Sequence, residues 1–145
     1  MKKAKELFIF GVVILAIAAV DLISFIVELC TLDFSIYANE EKLAQTVLKV
    51  VTIVCLVISA VSILVSVYLG VKGITESKKP SGGKLHITIA KIIAIFNVVL
   101  AVFAAIVLFN SKDLFGDILT LLITIVDVIF MFSYVNAAKA VRGKK

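Results

Sequence analysis

The 145-residue chain has no tryptophan, one proline, one histidine and two cysteines, and each scarcity removes a class of explanation. With one histidine and no CxxC pair, nothing clusters to ligate a structural or catalytic metal. Two cysteines do not make the disulfide framework of a small secreted domain. Cys30 follows the first apolar run and Cys55 falls inside the second, so their depths differ too much for a bridge, and both read as buried, apolar thiols. His86, at the start of the third run, reads as an interfacial residue. No GxSxG, HExxH, DxD, GxGxxG or Walker pattern occurs, and no Ser/His/Asp set can be assembled, so neither an enzyme nor a cofactor is expected.

What fills the chain instead is apolar residue. The mean hydropathy of +1.18 and the 62% hydrophobic content exceed what a soluble fold of this length can hide. Four runs, Leu7–Leu29, Thr46–Gly73, Ile87–Phe109 and Leu114–Ala138, each exceed the roughly 20 residues needed to cross a ~30 Å hydrocarbon core. The expectation is an all-α integral membrane protein: one domain, residues 1–145, folded as a four-transmembrane-helix up-down-up-down bundle. Met1–Glu6, Leu7–Leu15 and Ala16-Ile17-Ala18 also fit a signal peptide with its cleavage site. The apolar run continues through Leu29, however, which is the length of a true span.

The net charge of +5 is distributed unevenly. Lys2, Lys3 and Lys5 precede the first run; Lys72, Lys78, Lys79, Lys84 and Lys91 surround the link between the second and third; Lys139, Arg142, Lys144 and Lys145 follow the fourth. The positive-inside rule therefore places both termini and the central loop, residues 74–86, in the cytoplasm, with outer loops at 31–45 and 110–113. These cations serve as topology signals and as contacts for anionic headgroups; nothing in their pattern suggests nucleic acid. Within the first outer loop, Phe34 and Tyr37 read as interfacial anchors, and Asn39 as the N-cap of the second helix with Glu40 and Glu41 in its first turn. Lys78-Lys79-Pro80-Ser81-Gly82-Gly83 reads as a clear break. Tyr68 with Lys72 and Tyr134 with Lys139 form a faint repeat, read as interface anchors.

In lipid, helices associate through small residues and polar contacts rather than through hidden leucine. The second run carries a seam of Ser59, Ser62, Ser66, Gly70 and Gly73, and the third one of Ala90, Ala94, Asn97, Ala101 and Ala105; consecutive and closely linked, these seams are expected to face protein, and each other. Asp21 and Asp127 lie in the middle third of their runs, where a carboxylate costs about +3 kcal/mol even on a lenient insertion scale. Asn97 is a plausible amide donor to either, with Thr120, Thr124 and Ser24 nearby by spacing; Glu28 and Lys49 are placed to pair near the outer boundary, and Lys91 to snorkel toward the cytoplasm. The carboxylates are either a relay for protons or cations, or a latch holding the first and fourth helices in register.

Span count and size resemble those of the small multidrug-resistance exporters. Those proteins carry a lone glutamate in the first span and aromatic-rich hairpins; Asp21 is the nearest stand-in here, and the first outer loop is longer. The topology also resembles claudin- and MARVEL-type tetraspans, without the loop tryptophan and paired cysteines of claudins. Neither comparison assigns the chain to a family. The expected protein is a non-enzymatic, multi-pass component of a cytoplasmic membrane, in character a bacterial inner-membrane protein. It would act by helix–helix association, as a homo-oligomer or as an accessory or regulatory subunit. The alternative is a small proton- or cation-coupled transporter or channel subunit using Asp21, Asn97 and Asp127.

Overall fold

A computed structural model describes residues 2–38, 40–81, 83–109 and 114–143. Among the described residues the chain is helical with no strands: α1 (Lys2–Thr31), α2 (Lys42–Lys78), α3 (Leu85–Phe109) and α4 (Leu114–Arg142), with a 3-10 turn at Phe34–Tyr37 between α1 and α2. All four helices are long and apolar enough to cross a membrane. Each contains one apolar run and exceeds it; α2, at 37 residues, is about 55 Å long.

The helix ends follow from local chemistry. Pro80 lacks an N–H and disfavours helical geometry in the residue before it. Lys79 is accordingly extended, with φ −137° and ψ 94°, and α2 stops at Lys78. The break expected here is where the chain leaves the helix. At the other end of α2 the cap is Glu41, with no side-chain capping bond and no acid in the first turn, so the helix starts later than an Asn39 cap requires. Asn39 itself lies outside the described residues, as does the loop 110–113. The real cap in this loop is Asp33, whose carboxylate accepts from the Ser35 N–H at 2.8 Å and the Ser35 hydroxyl at 2.7 Å; these two bonds hold its carboxyl below the usual range. Tyr37 is tied back to α2, its hydroxyl 3.2 Å from that of Thr52 and its carbonyl accepting from Gln45.

α1 packs chiefly on α2, and α3 on α4; the two hairpins meet mainly through α1 and α4. The expected facing of the α2 and α3 seams does not occur, because those helices share little surface. Their short link brings together one end of each and leaves their faces free to choose other partners. The buried residues fall mostly in one half of the bundle: Leu7, Gly11 and Ile14 of α1, Leu69 to Glu76 of α2, His86 to Ala94 of α3, and Tyr134 to Val141 of α4. This half carries the N-terminus, the central link and the C-terminal helix end, and most of the lysines; it is called the basic end below. Toward the opposite end few side chains are buried and Ile, Val, Leu and Phe dominate the exposed surface; this half is called open below.

Candidate functional site

The closed half is built around three glycines and a tyrosine. A Cβ on Gly11 would lie 2.8 Å from the Gly70 carbonyl oxygen and 2.9 Å from the Ile74 nitrogen. A Cβ on Gly73 would lie 3.1 Å from the Gly11 Cα. The backbones of α1 and α2 therefore touch through Gly11, Gly70 and Gly73, the close approach that small residues permit between apolar helices. Against the other side of Gly73 stands the ring of Tyr134, fully buried, its hydroxyl donating to the Leu69 carbonyl at 3.0 Å. Tyr134 also meets His86 edge-on, with ring centres 6.4 Å apart, so it joins α4 to both α2 and α3. Tyr134 is thus a packing residue between helices rather than an exposed anchor, and His86, at the start of α3, is likewise buried, 3% exposed. Phe10 and Phe130, edge-to-face at 5.0 Å, close the α1–α4 contact beside them.

Sequence reasoning passed over the polar group at this end. Glu76, buried at the last turns of α2 beyond its apolar run, accepts from the Ser81 N–H at 2.7 Å and from the Ser81 hydroxyl. Burial pushes its carboxyl up, but the two Ser81 bonds and the nearby His86 and Lys72 outweigh that and leave it below its ordinary value. His86, just before the third apolar run, is lowered chiefly by burial; Lys72 and Arg142 add to this against the opposing pull of Glu76. Burial thus favours the uncharged form of His86, while the Ser81 bonds favour the carboxylate of Glu76. The available signal was Glu76 itself, an acid in an otherwise basic link.

Above this plug lies a cleft of about 390 Å³ reached by all four helices, with Ser62, Ser66, Asn97 and Asp127 among apolar side chains such as Ile14 and Phe130. Four of the polar residues singled out in the sequence therefore converge. Asp21 does not line the cleft; it is exposed one turn beyond Ile17 on α1, within electrostatic reach of Asp127. Among the described residues, no hydrogen bond reaches the side chains of Asp21, Asn97 or Asp127, and Asn97 does not donate to either carboxylate. The Thr124 hydroxyl donates to the Thr120 carbonyl at 2.8 Å, within its own helix, and Thr120 does the same to Gly116. Beside Thr120 and Thr124 a second recess, about 310 Å³ with Asp117 and Leu100 in its lining, continues the opening between α3 and α4.

The remaining positions divide between the two halves. Ala90 and Ala94 are fully buried on α3, while Ser59 and Ala101 are half-buried. Glu28 is exposed and does not pair with Lys49; the ion pair among the described residues is Lys3 with Glu6, at 2.7 Å. Cys30 and Cys55 are free and exposed rather than buried, because the opened half leaves the lateral faces of α1 and α2 uncovered. Among the described residues no three of His, Cys, Asp and Glu come together to hold a metal. Comparison of the chain with protein-family models, curated proteins and solved structures gives no match.

Proposed function

We propose that the chain crosses a cytoplasmic membrane, of bacterial type, four times through the apolar runs of α1 to α4, with its basic end in the cytoplasm. It acts there without catalysis, by lateral helix association, as an oligomer or as an accessory or regulatory subunit of a membrane complex. The lysine distribution supports the orientation. What supports the function is that Asp21, Asn97 and Asp127, each near the middle of its apolar run, have no side-chain hydrogen-bond partners among the described residues, in a half of the bundle where few side chains are buried. A monomer in lipid would bear the cost of each carboxylate, about +3 kcal/mol on the insertion scale. Further helices would close the opening and supply donors, each interhelical bond contributing about 1 kcal/mol.

A second reading has a specific observation behind it. Ser62, Ser66, Asn97 and Asp127 share one cleft, while the basic end of the bundle, with Tyr134 fully buried, is closely packed, a layout that also suits proton- or cation-coupled transport. One variant separates the two. Under association, Asp127→Asn changes the oligomer or partner recovered in mild detergent, and flux in proteoliposomes stays at background for wild type and variant alike. A pH-gradient-driven flux in wild type that Asp127→Asn abolishes, with the protein still folded, would replace association by transport.

A further inference from the structure

On the basic end, the groove between α3 and α4 gathers cations from both sides. Lys84 immediately before α3, Lys91 of α3, and Lys139 and Arg142 of α4 line a single recess of about 340 Å³, with Thr88 and Ile87 at its wall. Among the described residues no carboxylate lines it. The two acids at this end are both occupied elsewhere: Glu6 pairs with Lys3 on α1, and Glu76 is bound by Ser81 and faces Lys72 and His86. The α1–α2 side of the basic end is thus partly neutralised, whereas four cations converge on the α3–α4 side with no counter-charge among the described residues.

By helical spacing, the faces that line this groove run on into apolar residues. Lys84, Thr88 and Lys91 share a face of α3 that continues, one and two turns on, to Ile95 and Val98. Two turns before Lys139 on α4, the corresponding position is Phe132. All three are exposed. A cationic recess at the membrane boundary with an apolar track beneath it matches a molecule with an anionic head and hydrocarbon tails. A free phosphate has no use for the track.

We propose that this groove is a binding site for the phosphate headgroup of an anionic phospholipid, its acyl chain lying along Ile95, Val98 and Phe132. The site rests on the four-span orientation and is independent of whether the outer half serves association or transport. Basic pockets between transmembrane helices on the cytoplasmic side hold anionic headgroups by this chemistry, each Lys or Arg near the surface contributing about 1 kcal/mol.

The test is native mass spectrometry of the full chain in detergent, titrated with phosphatidylglycerol and, in parallel, with phosphatidylcholine. Wild type is expected to retain one phosphatidylglycerol in preference to phosphatidylcholine. Lys91→Gln with Arg142→Gln is expected to weaken that binding by about thirtyfold, the equivalent of two such cations at tenfold per ~1.4 kcal/mol. Lys2→Gln with Lys5→Gln, at the same end on α1, is expected to change it less than about threefold. An equal loss in both double variants would mean diffuse attraction and would overturn the site, as would no loss in the first. Glycerophosphoglycerol or inorganic phosphate binding as tightly as the intact lipid would mean a free-anion site, and would overturn the lipid assignment. Should Arg142→Gln disturb folding, Lys84→Gln with Lys139→Gln removes two exposed cations from the same recess and is read the same way.

Discussion

At the scale of single residues, Tyr134 bears the most on the closed half, because its two ends do different work. The ring fills the space between Gly73, His86 and the α1 core, while the hydroxyl reaches the Leu69 carbonyl. That carbonyl lies inside α2 and already has a helical partner in the Gly73 N–H, so losing the tyrosine hydroxyl does not orphan it. Tyr134→Phe should therefore cost only about 0.5–1.5 kcal/mol. Tyr134→Ala also opens a cavity where three helices meet and should cost about 3–5 kcal/mol. The difference can be read by titrating the detergent-solubilised protein with SDS and following helicity. Equal losses in the two variants would show that the hydroxyl, and not the ring, holds α4 to the rest.

At the scale of elements, the α1–α2 hairpin is set by backbone contact, and the three glycines should not be equivalent. A methyl on Gly11 meets main-chain atoms of Gly70 and Ile74, which cannot move without displacing α2. A methyl on Gly70 meets the Leu15 side chain at 2.6 Å, which a rotamer change can relieve, and the Gly11 carbonyl oxygen at 3.0 Å, a looser main-chain contact than the two at Gly11. Both substitutions gain about 1 kcal/mol of helix propensity. Gly11→Ala should still be clearly destabilising, in the range of about 1–3 kcal/mol for overpacking, and Gly70→Ala milder. Thermal unfolding of the two variants in one detergent checks the order, and a more stable Gly11→Ala protein would mean that the helices are not in backbone contact. The four helices and the central break were legible in the sequence, since length, hydropathy and Pro80 act locally. Gly70, Gly73, Ala90 and Ala94 were also legible as small-residue seams. What could not be read was their pairing. A small residue records that something approaches closely, not which helix does, and so α2 was matched to α3 when Gly11 of α1 was the partner. The same limit applies to the polar site. Spacing placed Asn97 and Asp127 at one depth, but the rotation of α1 that leaves Asp21 outside the cleft depends on its packing against α2.

At the scale of the whole molecule, the asymmetry between a closed basic end and an opened outer half makes the proposed orientation testable with the native cysteines alone. Cys30 sits just past the first apolar run, near the end of α1, and Cys55 lies nine residues into the second run, about 14 Å deeper. Both thiols are exposed on the isolated chain, so neither is shielded by protein. Their reactivity in cells should then be set by the medium each one faces, because maleimides attack the thiolate, which forms in water and not in hydrocarbon. A membrane-impermeant maleimide added outside intact spheroplasts should label Cys30 and leave Cys55 untouched, with Cys30→Ser removing the signal. Cys55 should become reactive only after solubilisation in detergent. Labelling of Cys30 that appears only after the cells are opened would invert the orientation and move the α3–α4 basic groove to the outer surface. Labelling of Cys55 in intact cells by the impermeant reagent would instead mean that water fills the opened half from outside. That result would favour the transport reading over association, since a helix partner seated there would exclude it.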